Sequence, residues 1–148
     1  MGRADEIAAL AGFPARVADA VRAAADRAAR DVVPADGEWG PEEIVRHLIA
    51  VELEVHQVRL ADLDRVAEPQ WTWAEPGPWP GEPGLSIDAL LARFANARAS
   101  TVDTVSAMDD AAWARSGVHA SFGRLDVGGL VRNAIDHDEE HLRGLAER

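Results

Sequence analysis

Apolar residues recur at helical spacing through nearly the whole chain, and one long interruption at residues 69–85 splits that pattern. No segment shows the period-two alternation of a half-buried strand, so the chain is predicted to be all-α. A first helix is expected from about Asp5 to Asp31, broken near Gly12-Phe13-Pro14, with Val17, Val21 and Ala24 on its packing face. Pro34-Ala35-Asp36-Gly37 reads as a turn. The second helix opens at Trp39-Gly40-Pro41-Glu42-Glu43, where Gly40 suits the N-cap and Pro41 the first helical position. It should run to about Val66 with Ile44, Leu48, Val51, Val55 and Val58 as its stripe. Ser86 caps a third helix and Asp126 a fourth, with a short helix near 110–115 between them. Four helices, no internal repeat and a length of 148 residues describe one four-helix-bundle domain spanning 1–148, with a long crossover between helices 2 and 3.

The crossover carries five prolines and three tryptophans, Trp71, Trp73 and Trp79. A connection this long inside a compact domain is uncommon unless it serves a function or stays disordered, and tryptophans require a surface to pack on. It is read either as a pocket wall or lid, or as a stiff strap capping the bundle end.

What the chain lacks narrows its chemistry. It has no Cys, Lys or Tyr, which removes a cysteine nucleophile, disulfides, a Schiff-base lysine and a phosphate-loop lysine. No serine sits in Gly-x-Ser-x-Gly, and no Gly-x-Gly-x-x-Gly is present. A net charge of −11 disfavours a nucleic-acid partner. No apolar run approaches a membrane span and no secretory pattern opens the chain, so a cytoplasmic protein without a membrane partner is expected. All fifteen basic side chains are Arg, beside heavy Ala, Gly and Val use, which reads as the coding bias of a GC-rich genome.

Histidine, carboxylates and arginine remain. His137-Asp138-Glu139-Glu140-His141 places two imidazoles about 400° of helical rotation apart, on one face. Leu130, Ala134, His137 and His141 share the stripe that should meet the core, with Asp138, Glu139, Arg132 and Arg143 flanking it. Inward histidines need a partner, either a divalent metal or a buried carboxylate. His47 borders the stripe of helix 2, whereas His56 falls on the opposite side and should be solvated. Glu54, about two turns beyond His47, and Glu140, beside the histidine pair, are carboxylates near these positions; Asn133, one turn before His137, suits a hydrogen-bond partner for the outer nitrogen of a ligand ring. Trp79 is a candidate for the pocket wall.

Taken together, Trp39-Gly40-Pro41 through His47-Leu48, Gly117-Val118-His119 through Leu125, and the final His137-Asp138-x-x-His141-Leu142 resemble the DinB/YfiT-like superfamily over nearly the whole chain. The resemblance implies a divalent metal (Zn, Ni or Fe) held by His47, His137 and His141, with an open position for water or substrate. It further implies a metal-dependent enzyme acting on a small-molecule substrate. Relatives include bacillithiol S-transferases and mycothiol-dependent maleylpyruvate isomerase, so the nucleophile is water (a hydrolase) or an exogenous thiol (a thiol S-transferase). A chain without cysteine must import any thiol it uses, and the GC-rich bias favours mycothiol over bacillithiol. Two alternatives stay open: a non-catalytic metal-binding module acting through a partner or as a homodimer, and an inverted-zincin-like peptidase, since His137-x-x-Glu140-His141 fits His-x-x-Glu-His.

Overall fold

The computed structural model describes residues 2–30 and 39–147. The turn expected at Pro34–Gly37 and the end of the first helix at Asp31 lie outside the described residues. Within them the elements are α1 (Arg3–Arg30), α2 (Pro41–Val51), a π-helical turn (Glu52–His56), α3 (Gln57–Arg65), β1 (Gln70–Trp71), α4 (Ile87–Ser106), α5 (Asp110–Trp113), β2 (Ser116–His119), β3 (Gly123–Asp126) and α6 (Val127–Ala146). The segments α2, π turn and α3 follow one another directly and form the second helix of a four-helix bundle with α1, α4 and α6. Helix α1 packs on α6 and α4, and α2 packs on α4.

The cores form where the apolar stripes meet. One cluster joins Phe13, Val17 and Val21 of α1 to Leu48 and Ile49 of α2, Leu90 and Phe94 of α4, and Leu145 of α6. The other joins Leu10, Leu60, Leu63, Val105, Leu130 and Val131 around Trp71. Fully burying a side chain of this size stabilises by roughly 1.5–3 kcal/mol, so the two clusters supply most of the bundle's cohesion.

Helix α1 does not break at Pro14; it continues through it. Proline has no N–H to offer the carbonyl four residues back, which here is Leu10 O. The buried Arg98 of α4 takes that carbonyl, donating from Nη1 at 3.0 Å, so the helix loses one bond and the core replaces it.

Three short strands also form where the sequence shows no strand pattern. They build a sheet in the order β1-β2-β3, with β1 parallel to β2 and β2 antiparallel to β3. Strands of two and four residues are too short to show alternation. Gly117 permits the sheet's closest packing, because a Cβ there would fall 2.6 Å from the Trp71 ring. Gly123 turns the β2–β3 hairpin at φ +76°.

The crossover beyond β1 is irregular but tethered. Arg46 of α2 is buried, and its guanidinium donates to the carbonyls of Trp79, Gly81 and Glu82 at 3.1, 2.6 and 2.8 Å. In return Trp79 N–H donates to Arg46 O. The chain residue next to His47 therefore holds the strap that passes over His47. Among the described residues no helix is long and apolar enough to cross a membrane.

Candidate metal centre

Two helix starts set the register of three histidines. Gly40 and Pro41 open α2 with Glu42 and Glu43 in its first turn, where carboxylates complement the helix dipole. Two turns later His47 is fully buried. Asp126 caps α6 by accepting from Gly129 N–H at 2.7 Å, and His137 and His141 follow on one face of that helix. The ring nitrogens converge. His137 Nε2 lies 3.3 Å from His47 Nε2 and 3.1 Å from His141 Nε2. From the crossover, Glu75 Oε1 stands 3.1 Å from His47 Nε2 and 3.8 Å from His137 Nε2. These four residues each offer an atom within 4.8 Å of the others, a set that could hold a metal ion.

Protonation favours that use. His47 Nδ1 sits 2.7 Å from the Pro76 carbonyl, which only accepts, so Nδ1–H donates there and Nε2 is the ring nitrogen turned to the cluster. Burial, followed by the charges of His141, His56, His47 and Arg98, pushes His137 down to about 3. Burial and then His47 push His141 down to about 4. Both rings are neutral at pH 7. At most one contact at His137 Nε2 is then a well-aligned hydrogen bond, and the other sets lone pair against lone pair. A cation between them removes the conflict. Tetrahedral zinc at roughly 2.0–2.1 Å from each nitrogen spaces its ligand atoms about 3.3–3.4 Å apart, close to the separations found.

Beside this cluster lies a cavity of about 300 Å³, and His137 and Glu75 belong to its wall. Leu10, Val55, Leu60, Val105 and Leu130 make its apolar part, while Arg59, His119, Asn133 and Trp73 also line it.

Asn133 is not seated on a ligand ring: its Nδ2 and His137 Nδ1 are both buried without a hydrogen-bond partner, and the amide lines the cavity. Glu140 is exposed at the cavity's edge. Trp79 does not wall the cavity. It packs on the core beside Leu85 and Ile87, with the guanidinium carbons of Arg46 and Arg93 at 5.6 and 5.2 Å from its ring, and so anchors the strap. Trp73 takes the wall position instead.

The π turn accounts for three further differences. It inserts one extra residue, which offsets everything after it by about 100° relative to an unbroken α-helix. His56, expected opposite His47, turns instead to the cavity, with its ring 6.4 Å from that of His137. Burial lowers its pKa first, against the pull of Glu52. The same offset leaves Glu54 and Val58 facing solvent.

Two charged residues that the sequence pattern did not single out, Glu52 and Arg98, join Asp138 beneath the site. Arg98 donates to both oxygens of Glu52 (2.8 and 3.3 Å) and both oxygens of Asp138 (2.9 and 2.8 Å), and all three are buried. Asp138, expected to flank the stripe, points into the core beside its neighbour His137. Burial and the Glu52 carboxylate raise Asp138, to about 6, against the opposing pull of Arg98. The fork-to-fork geometry keeps the pair ionised at neutral pH. A signal was present in the sequence: Glu52, Arg98 and Asp138 each lie four residues after a core residue (Leu48, Phe94 and Ala134), at positions where apolar residues would continue the stripe.

A family model described as the DinB superfamily matches residues 9–145. No curated protein matches the chain. Among solved structures it is similar to YfiT from Bacillus subtilis, described as a probable metal-dependent hydrolase with an unusual four-helix bundle topology. The two share 16% identity and superpose with a TM-score of 0.74, covering 99% of this chain and 87% of that one. At that identity the likeness concerns the fold.

Proposed function

This chain belongs to the DinB superfamily, and from that membership and its histidine cluster we propose that it is a metal-dependent enzyme, a hydrolase or thiol S-transferase acting on a small molecule. The observation that carries the reading is the convergence of the Nε2 atoms of His47, whose ring Pro76 orients, and of the neutral imidazoles His137 and His141. His47, His137 and His141 would hold the ion, and imidazole donors suit Zn, Ni or Fe without choosing among them. A divalent ion bound there supplies Lewis acidity and lowers the pKa of a nucleophile, whether water or an imported thiol.

The chain's own residues do the rest. Glu75 stands within 3.1 Å of His47 Nε2 on a half-exposed side chain, placed to take a proton from a nucleophile presented at the cluster. Pro76 orients the ring of His47, and Arg46 holds Pro76 and Glu75 in register through the strap. The apolar cavity wall limits water around a bound substrate.

The reading is tested by comparing metal-loaded and chelated protein for ester or amide hydrolysis and for conjugation of an electrophile, each with and without added mycothiol or bacillithiol. Activity lost on chelation and restored by metal supports the enzyme. Dependence on the thiol assigns the transferase, and activity without it assigns the hydrolase. Inactivity of the metal-loaded protein across both panels contradicts the reading and favours the non-catalytic module.

A further inference from the structure

The wall of the cavity away from the histidine cluster has its own chemistry, set by His119 and Arg59. His119 closes β2 and is buried, and its Nδ1 accepts from the backbone N–H groups of Ser121 and Phe122 at 3.0 and 3.3 Å. A nitrogen that accepts two N–H groups carries no proton, so the neutral ring bears its hydrogen on Nε2. Burial, followed by the charge of Arg59, lowers its pKa and keeps the ring in that neutral form.

Nε2–H of His119 then faces Arg59 Nη2, another donor, at 3.4 Å. The hairpin forces two donors to converge with no acceptor between them. Arg59 also donates to Thr72 O at 3.1 Å, and among the described residues it reaches no carboxylate. In this it differs from Arg98, Arg16 and Arg124, which pair with acids, although the chain carries a net charge of −11. Phe122 lies 4.7 Å from the His119 ring, Trp73 lies 6.1 Å from Phe122, and Leu60 and Val105 add apolar wall to the same cavity, whose lining also includes the carboxylates Glu75, Asp136 and Glu140. Two more polar atoms of the same wall, Asn133 Nδ2 and His56 Nε2, are buried without hydrogen-bond partners.

We propose that Arg59 and His119 form a carboxylate receptor, and that the cavity takes a small anionic molecule with an apolar body, its carboxylate on the two donors and its body along the apolar wall toward His137. An oxyanion accepts from both donors at once and supplies the counter-charge that Arg59 lacks. The volume of about 300 Å³ admits a body no larger than a small aromatic or branched acid. That this molecule is the substrate rests on the metal-enzyme reading above; the receptor itself does not.

The test uses the full chain freed of metal by chelation, so that no ion competes for the carboxylate. Benzoate and its neutral isostere benzamide are titrated against tryptophan fluorescence, with Trp73 in the cavity wall as the reporter. Saturable benzoate binding at least roughly tenfold tighter than benzamide is expected, from the strength of charge-assisted hydrogen bonds. Arg59→Met should remove that preference, Arg59→Lys should keep part of it, and inorganic phosphate should not displace benzoate at matching concentration. Equal affinity for the two probes, no saturable binding of either, or an undiminished preference in Arg59→Met would overturn the receptor. Phosphate competing as well as benzoate would overturn its apolar half. Because benzoate and benzamide are compared on the unmutated protein, a misfolded variant cannot decide the outcome. Benzoate selectivity in a protein that binds no metal would leave the receptor standing and remove the enzyme; metal binding without selectivity would do the reverse.

Discussion

His47 stands apart from the other two histidines because the fold fixes the orientation of its ring. Its Nδ1 is tied to Pro76 O, while His137 Nδ1 meets nothing. Glu75 is the other residue with a distinct task. Glu75→Gln keeps the shape and a hydrogen-bonding oxygen but cannot take a proton, so it should retain metal within a few-fold while turnover falls by roughly 10²–10⁴. Elemental analysis beside steady-state kinetics checks this, and a variant that loses metal in proportion to activity would make Glu75 a fourth ligand instead. The three histidines were legible from spacing and resemblance. Glu75 was not, because it sits in an aperiodic crossover where no spacing rule orients a side chain. Its neighbour Pro76 acts through a backbone carbonyl, which sequence never displays.

At the scale of elements, the helices and their caps followed directly from Ser86, Asp126 and the Gly40-Pro41 start, each found at the expected helix N-terminus. Departures came where tertiary contacts rewrote local preference. Pro14 stays helical because Arg98 replaces the lost donor, and the π turn swings His56 inward while Glu52 is drawn to Arg98. Arg98 thus links α1, the π turn, α4 and α6 beside His137 of the histidine cluster. Arg98→Met leaves Glu52 and Asp138 as uncompensated buried charges and should destabilise by about 3–5 kcal/mol, measured by urea unfolding. A loss under about 1 kcal/mol would show that the arginine is dispensable to the bundle. The strap gives a milder prediction. Arg46→Met frees three carbonyls that water can partly satisfy, so stability should fall by only about 1–2 kcal/mol. Metal affinity should weaken at the same time, because Pro76 loses its register; unchanged affinity would separate the strap from the centre.

For the whole molecule, the buried neutral histidines make stability depend on pH. His137 and His141 have folded pKa values of about 3 and 4, below the ordinary 6.5. The unfolded chain therefore binds more protons in the interval between those values, and stability falls as pH drops through it. Metal-free protein should keep its full stability above pH 6.5 and lose a few kcal/mol by about pH 4, followed by thermal melts across that range. A flat profile would mean that the rings are solvated rather than packed. Bound metal competes with the same protons, so it should raise the melting temperature most above pH 6.5.

The most direct test of the account is metal stoichiometry. Protein purified without a histidine tag should carry about one Zn, Ni or Fe per chain by elemental mass spectrometry, or take up one on reconstitution. The content should fall to near zero in His47→Ala and His137→Ala while their helical circular dichroism persists. A folded protein that binds no divalent metal, or variants that hold it as well as the parent, would contradict the three-histidine centre and every catalytic step built on it.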